Sequence, residues 1–308
     1  MTKFDGNFAA GEDHSLEESV GRAHRGEDRL ILIRHGQTHA NIARILDTAL
    51  PGAPLTDQGI IQSRRLGRVL LPSWDRLTEI VTSHALRARQ TGAGAVAGLH
   101  HLAGPGVRLR HEAGLHEVQA GEIEGRSDFD AHRRFMEIFH GWLHGDFGAK
   151  VPGGESADDV LARYLPVLRT LVAEGRDAPW PGGESVSASP LDDGPSFRPE
   201  TSSSSGDAAG TGGAATGAVG AAGSGTGAVG VGGSGDAGRN IAVVSHGAAI
   251  RLIAQHLANI EGQFIFDNPL PNTARVELVR DVDAGDGDKA GSWKLARWGE
   301  LSNEPEAH

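Results

Sequence analysis

The stretch LILIRHG at Leu30–Gly36 decides the fold, because an unbroken apolar run ends there in an Arg-His-Gly triplet. The stretch IAVVSHG at Ile241–Gly247 has the same form and also ends in a His-Gly pair. Short continuous apolar runs are typical of buried parallel strands. Ligands of open α/β sheets bind outside the carboxyl ends of such strands. The two stretches therefore predict that His35 and His246 face one pocket.

A third apolar run, Ile80–Thr82, leads into SHALR at Ser83–Arg87. The predicted pocket then holds two imidazoles and the guanidinium groups of Arg34 and Arg87. Guanidinium forks bind phosphate oxygens in a planar, bidentate geometry. Phosphoryl transfer asks a protein mainly for positioning and for charge stabilisation. The sequence therefore predicts an anion site that contains a nucleophile.

The composition excludes several other classes of protein. The formal net charge of −11 argues against a general nucleic-acid binder, which carries a basic face. The absence of cysteine excludes a disulfide framework, a thiolate nucleophile and a thiolate metal site. The sequence has no run of about 18 or more apolar residues, and its start has no apolar signal region. We therefore expect a cytoplasmic protein without a membrane partner.

The glycines cluster in a low-complexity stretch. From Ser202 to Gly238 every residue is Gly, Ala, Ser, Thr, Val or Asp. Such a segment cannot bury enough apolar surface to offset its ordering entropy. We therefore predict three regions: a polar, disordered N-terminal segment at 1–28, a single globular domain formed by 29–178 and 239–301, and a disordered Gly/Ala/Ser-rich insert at 179–238.

Strands and helices are predicted to alternate along the globular part. Thr56 is a candidate N-cap of a helix that Pro72 ends, and Ser156 is a candidate cap of a later helix. Strand–helix–strand alternation implies right-handed crossovers and a mostly parallel sheet, hence an α/β fold. The predicted strands are 30–33, 80–82, 241–244 and two near 275–279 and 293–297, and the other predicted helices are 85–99, 130–143 and 248–258.

The motifs resemble those of a known family. Arg34–Asn41 (RHGQTHAN) resembles the RHGxTxxN signature of the histidine phosphatase superfamily, in its phosphoglycerate mutase-like branch. The resemblance continues in order through the globular core: Leu55–Gly59 with Gln62, Ser83–Thr91, Leu115–Glu117 with Gly121 and Glu124-Gly125, Pro152–Ser156, Val244–Gly247 and Asn272. It implies a three-layer α/β/α sandwich with a mostly parallel central sheet.

The resemblance also implies roles for individual residues. His35 would be the nucleophile that becomes phosphohistidine. Glu117 would protonate the leaving oxygen and then deprotonate the attacking water, and His246 would be the further catalytic residue. The residues that would bind the phosphoryl group are Arg34, Arg87, Asn41 and His246. No metal and no other cofactor is implied. An imidazole attacks only when it is neutral, and nearby arginines favour that form.

Three functions remain open at this stage. The segment Glu117–Gly125 contains no Lys, Arg or Tyr, whereas a basic, aromatic segment accompanies the acid in the mutases that the chain resembles. We therefore predict a phosphomonoester hydrolase that acts on a small phosphorylated metabolite. The alternatives are a phosphoglycerate mutase-type transfer and a catalytically silent module that binds a phosphometabolite. The sequence identifies neither the substrate nor the oligomeric state, and a homo-oligomer remains possible. Glu122 and Glu124 lie close to Glu117 in the sequence, so either could be confused with it as the acid.

Specificity in this architecture would come from Phe129–Gly148. His132, Arg133, Arg134 and Trp142 lie in that region, and we expect them on a helix surface rather than in contact with substrate. His140 and His144 have the i, i+4 spacing of zinc pairs. The HExxH pattern is absent, so we interpret them as structural.

The predicted insert can be tested by deletion. Replacing Pro190–Asp236 by a short linker should preserve both the fold and the activity, because loop length changes closure entropy by only about 0.6 kcal/mol per doubling. The measurement is thermal unfolding and phosphatase activity of the shortened chain beside the full one. Loss of either property would mean that the insert does more than connect.

Overall fold

The computed structural model describes residues 27–177, 238–281 and 291–302. The predicted N-terminal segment, apart from residues 27 and 28, lies outside the described residues. The same holds for the predicted insert, apart from residue 238. The division of the chain into these regions therefore stays a prediction.

A seven-stranded mixed sheet forms the centre of the described residues. Its strands are β1 (Arg29–Arg34), β2 (Leu77–Ser83), β3 (Arg108–Glu112), β4 (Asn240–Ser245), β5 (Arg275–Arg280), β6 (Trp293–Trp298) and β7 (Leu301–Ser302). They lie in the order β3-β2-β4-β1-β5-β6-β7. The first four strands in this order are parallel, and β5, β6 and β7 add antiparallel pairs at the other side. The predicted mostly parallel α/β architecture is confirmed.

Among the described residues five helices lie close to the predicted ranges, and two short ones, His39–Ile42 and Gly262–Asp267, were not predicted. The helices are α1 (His39–Ile42), α2 (Asp57–Leu70), α3 (Leu86–Ala103), α4 (Phe129–Leu143), α5 (Ala157–Asp177), α6 (Gly247–Ala258) and α7 (Gly262–Asp267). The Thr56 side chain accepts a hydrogen bond from the Gly59 N–H, as an N-cap does. Ser156 and Asp159 bond reciprocally at the start of α5, through side chain and backbone.

Helices cover both faces of the sheet. Successive residues of β1 alternate between two buried clusters: Leu30 and Leu32 pack with α4, α5 and α6, whereas Ile31 and Ile33 pack with α2 and α3. Side chains along a strand point to opposite faces, so a strand buried on both sides is apolar throughout. This explains why β1 is an unbroken apolar run, and it gives the three predicted layers.

Two further features of the fold differ from the sequence-based expectations. Strand β3 was not predicted, because its sequence RLRHE is charged and it lies half exposed at the edge of the sheet. Trp142 was expected on a helix surface, and this is wrong. The Trp142 side chain is 1% exposed, packs edge-on against Phe139 and donates from Nε1 to the Ala149 carbonyl oxygen at 2.7 Å.

The register of the sheet places the motifs together. Strands β1 and β4 are parallel neighbours, with Arg34 opposite Ser245. Strand β2 lies on the other side of β4, with Thr82 opposite Val244. The carboxyl ends of the three strands therefore meet at one edge, as ligand sites of open α/β sheets require. Among the helices of the described ranges, none has both the length and the hydrophobicity needed to cross a bilayer.

Candidate active site

The two predicted histidines meet where β1 and β4 end. The His35 N–H donates to the Ser245 carbonyl oxygen at 3.0 Å, and the ring centroids of His35 and His246 are 5.3 Å apart. Both side chains are buried, at 4% and 0% exposure. Residues that are distant in sequence therefore form one compact pair.

His35 is held as a neutral imidazole with one free ring nitrogen. Its Nδ1 lies 2.7 Å from the Gly36 carbonyl oxygen, an acceptor, so Nδ1 carries the proton and donates. The lone pair is then on Nε2. Burial, followed by the charges of Arg87 and Arg34, holds the pKa of His35 well below its ordinary value of 6.5. Nε2 is therefore suited to act as a nucleophile.

His246 presents a donor instead. Its Nε2 lies 2.9 Å from the Ser83 hydroxyl, which itself accepts from the Ala85 N–H at 3.1 Å. When the hydroxyl donates its one proton to Nε2, the ring proton is on Nδ1, which then presents the donor. Burial and the nearby Arg87 charge hold the pKa of His246 well below 6.5. Nδ1 is buried and has no hydrogen-bond partner in the part of the chain that the structure describes. Such a group suits an oxygen of a bound anion.

Two arginines lie near the histidines, Arg87 buried and Arg34 half-buried. The Arg34 side chain donates from Nη1 to the Leu270 carbonyl oxygen, while its buried Nε has no partner among the described residues. Arg87 is 2% exposed, and its Nη1 lies 3.4 Å from Asp47 Oδ2. Burial lowers the pKa of both guanidinium groups, and the nearby Glu117 charge raises it, yet arginine stays protonated in proteins. The site is therefore cationic.

A glycine is required where the 47–53 loop passes Arg87. Gly52 has a φ of +74°, which favours glycine, and a Cβ built there would lie 2.1 Å from Arg87 Nη1. Asp47 anchors the same loop by accepting from the Ala53 N–H at 2.8 Å. The loop thus fixes the guanidinium from one side.

Glu117 lies at the N-terminus of α6. Its Oε1 accepts from the Val118 N–H at 2.9 Å and from the Ala249 N–H at 3.0 Å, and its Oε2 accepts from the Ala248 N–H at 3.2 Å. These backbone donors hold both carboxylate oxygens at the first turn of α6. The carboxylate is also close enough to Arg34 and Arg87 to act on both electrostatically.

The two neighbouring glutamates are occupied elsewhere. Glu122 is exposed and pairs with Arg134 at 2.5 Å. Glu124 accepts from the backbone N–H groups of Thr48 and Ala49, at 2.7 and 2.9 Å. The structure therefore brings Glu117, and neither Glu122 nor Glu124, to the start of α6 beside the arginines.

Asn41 is joined to the histidine loop through Asn272. Asn41 Oδ1 accepts from the Thr38 N–H and from Asn272 Nδ2, both at 3.1 Å. Asn272 Nδ2 also donates to the His35 carbonyl oxygen at 3.1 Å. Because its oxygen is already an acceptor, the Asn41 side chain would meet an anion through its amide nitrogen.

The comparisons with known proteins agree with this geometry. The model of the histidine phosphatase superfamily (branch 1) matches residues 30–180 and 233–290. The chain belongs to this superfamily. Its fold is similar to that of a mycobacterial glucosyl-3-phosphoglycerate phosphatase (TM-score 0.57, 20% identity, covering 89% of this chain and 99% of that one). It is also similar to that of a putative alpha-ribazole-5'-P phosphatase from Escherichia coli (TM-score 0.53, 18% identity, covering 91% and 99%).

Proteins of similar sequence are named as mutases, whereas the proteins of similar fold are named as phosphatases. A 2,3-bisphosphoglycerate-dependent phosphoglycerate mutase from Azorhizobium caulinodans is 33% identical over 138 residues, which are 44% of this chain and 65% of that one. A protein of the same name from a Bradyrhizobium species is 32% identical over 141 residues, or 46% and 66%. The matched region thus spans slightly less than two thirds of these relatives.

Sequence reasoning missed several residues that organise the site of this histidine phosphatase superfamily member. Asp47 pairs with Arg87, and Arg163 on α5 donates to the carbonyl oxygens of Gly114, His116 and Glu117. One signal was present: Glu155 belongs to the PGGES motif, and Arg163 lies eight residues later, on the same helix face as the cap.

The histidines of α4 lie away from this chemistry. His140 and His144 have ring centroids 4.2 Å apart, and His144 Nδ1 lies 2.8 Å from the His140 carbonyl oxygen. His132 Nε2 lies 2.6 Å from the Arg44 carbonyl oxygen, which ties α4 to the 44–46 loop. Within residues 27–177, 238–281 and 291–302, no three metal-ligating side chains form a group that could hold an ion.

The buried histidines predict a pH dependence. His35 and His246 should stay neutral from neutral pH to well below 6.5, which ring ¹⁵N chemical shifts measure directly. The unfolded chain binds these protons near pH 6.5 and the folded chain does not, so the free energy of unfolding should fall as the pH drops below that value. A His35→Gln variant should lose part of this slope, and the exposed control His101→Gln should keep it. A midpoint at or above 6.5 for either ring would contradict the assignment.

Proposed function

We propose that this protein is a phosphomonoester hydrolase that acts through a phosphohistidine intermediate on His35. The observation that carries the proposal is the neutral, buried His35 imidazole, whose ring lies beside that of His246 and close enough to Arg87 and Arg34 for their charges to lower its pKa. A neutral nucleophile inside a cationic pocket is what attack on a phosphate dianion needs.

The first half-reaction forms the phosphoenzyme. Arg34, Arg87 and the Nδ1–H of His246 bind the phosphoryl oxygens, with the Asn41 amide nitrogen as a further donor. His35 Nε2 attacks phosphorus in line with the ester oxygen. The P–O bond breaks as the N–P bond forms, and the leaving oxygen takes a proton from Glu117.

Glu117 gains that proton when the substrate binds. Three backbone N–H groups hold its two carboxylate oxygens in the free protein. A phosphate dianion close by disfavours a second negative charge, so binding shifts Glu117 towards the acid. The bound phosphate thereby favours the protonated form of Glu117, which cleavage of the ester requires.

The second half-reaction returns the free enzyme. The Glu117 carboxylate takes a proton from a water molecule that attacks the phosphohistidine. The N–P bond breaks, and inorganic phosphate leaves. The electron pair of the N–P bond returns to Nε2, which restores the neutral His35 with its proton on Nδ1.

Hydrolysis is favoured over mutase-type transfer by the segment beside Glu117. A mutase must hold a second anionic group and keep water away from the phosphohistidine. Residues 117–125 contain no Lys, Arg or Tyr. The nearby cations of α4 are already paired, Arg133 with Glu137 at 2.8 Å and Arg134 with Glu122 at 2.5 Å. The names of the similar sequences support the alternative function, a phosphoglycerate mutase-type transfer.

A catalytically silent binding module is a weaker reading. Loss of activity would follow from loss of the nucleophile, an arginine or the acid, and each of these is present. The substrate class that fits the site is a small phosphorylated metabolite. The formal charge of −11 does not suit a nucleic-acid partner.

An assay with an aryl phosphate tests the proposal. The protein should release inorganic phosphate without added metal, and His35→Ala should lower kcat by at least about 10³-fold, because no other group replaces the nucleophile. The control His101→Ala removes an exposed histidine on α3 and should keep wild-type activity.

The same assay, together with a test of 2- and 3-phosphoglycerate interconversion, separates the three functions. Interconversion of 2- and 3-phosphoglycerate faster than hydrolysis would favour the mutase. Binding of phosphate esters without any release of phosphate would favour the silent module. Near wild-type hydrolysis by His35→Ala would refute the assignment of the nucleophile.

A further inference from the structure

Arg163 forms hydrogen bonds to the backbone segment that contains Glu117. Its Nη1 donates to the carbonyl oxygens of Gly114 and His116, at 2.6 and 3.0 Å, and its Nη2 donates to the Glu117 carbonyl oxygen at 3.2 Å. A planar guanidinium has donors in fixed directions, so three acceptors on one loop fix the position of that loop.

Glu155 holds the other edge of the same guanidinium. Its Oε1 accepts from Arg163 Nε at 2.7 Å, and its Oε2 accepts from Arg163 Nη2 at 2.9 Å. Both side chains are largely buried, at 15% and 18% exposure. Burial alone would raise the pKa of Glu155, but the His116 ring, whose Nε2 lies 3.8 Å from Oε1, and the hydrogen bonds from Arg163 outweigh it and lower the pKa from 4.5 to about 2. The pair therefore stays ionised at neutral pH.

Glu155 also reaches the far end of the loop. Its Oε2 accepts from the Gln119 N–H at 3.0 Å, and Gln119 Nε2 donates to the Glu117 carbonyl oxygen at 3.0 Å. The backbone of residues 114–119 is thus fixed from α5, while the Glu117 carboxylate is fixed from α6. The two ends of one glutamate are held by different helices.

We propose that Arg163, oriented by Glu155, is a positioning residue that places the Glu117 carboxyl group against the leaving oxygen of the substrate. This inference rests on the proposed function, in which Glu117 is the general acid. A displacement of about 1 Å at a reacting group can cost about 100-fold in rate, so a clamp on the Glu117 backbone has a kinetic consequence.

A purely structural role and a positioning role differ in their dependence on the leaving group. An aryl oxide of low basicity, such as 2,4-dinitrophenolate, departs without a proton. Phenolate is more basic and needs the acid. Misplacement of Glu117 therefore harms phenyl phosphate and spares 2,4-dinitrophenyl phosphate, whereas a general loss of folded protein harms both equally.

The experiment measures kcat/KM for both esters with the full-length protein, since kcat/KM reports steps up to formation of the phosphoenzyme. For Arg163→Met, kcat/KM with phenyl phosphate should fall about 30- to 100-fold and with 2,4-dinitrophenyl phosphate less than about threefold. Glu117→Gln should show the same pattern more strongly. The matched control Arg133→Gln removes an exposed arginine from an Arg–Glu pair and should change neither value.

Arg163→Lys covers the case in which the methionine variant does not fold. Lysine keeps a positive charge beside Glu155 but has a single ammonium in place of the fork, so it cannot reach Glu155 and three carbonyl oxygens together. We expect the same dependence on the leaving group with a smaller loss.

The outcomes separate this inference from the proposed function. An equal loss on both esters for the Arg163 variants, or no loss on either, overturns the positioning role while the wild type still hydrolyses both. Failure of the wild type to hydrolyse either ester overturns the proposed function and this inference with it. A uniform loss for Glu117→Gln rejects Glu117 as the acid, and the role of Arg163 falls for that reason.

Discussion

The parallel pairing of β1 with β4 is the constraint on which the rest of the site depends. It sets Arg34 opposite Ser245, so the residues that follow each strand, His35 and His246, leave the sheet side by side. Because the two strands are parallel neighbours in one sheet, their carboxyl ends lie at the same edge, where ligands of open α/β sheets bind. A slip of one residue in either strand would turn its buried side chains to the other face and separate the two imidazoles.

Burial and positive charge then act in the same direction on those imidazoles. Water is excluded from both rings, and the guanidinium groups disfavour a further cation, so both pKa values lie well below 6.5. The cost is a set of buried donors without protein acceptors in the described part of the chain, Arg34 Nε and His246 Nδ1 among them. Groups of this kind raise the free energy of the unliganded protein, and an anion that satisfies them recovers it. In the mechanism that we propose, the same arrangement prepares the nucleophile and favours an anionic substrate.

Much of this could be predicted from the sequence, because the strands that end in the motifs are buried on both faces and leave a continuous apolar signal. The helix caps at Thr56 and Ser156 were also predictable, because a Ser or Thr side chain directly before a helix accepts a hydrogen bond from its first turn. Strand β3 could not be predicted, since an edge strand with alternating charges has no apolar run. The contact of Arg163 with the Glu117 loop was also out of reach, because it joins a helix to a backbone segment through carbonyl oxygens, and side-chain pattern does not encode that pairing.

The most direct test of the central claim is to trap the phosphoenzyme during turnover and to locate the phosphate. Because His35 Nδ1 donates to the Gly36 carbonyl oxygen, the account predicts that alkaline quenching yields an acid-labile phosphate on Nε2 of His35, identified by peptide mapping and ³¹P NMR. The label should appear with substrate and decay to inorganic phosphate. A phosphate on Nδ1, on another residue, or on no residue while hydrolysis proceeds would contradict the account.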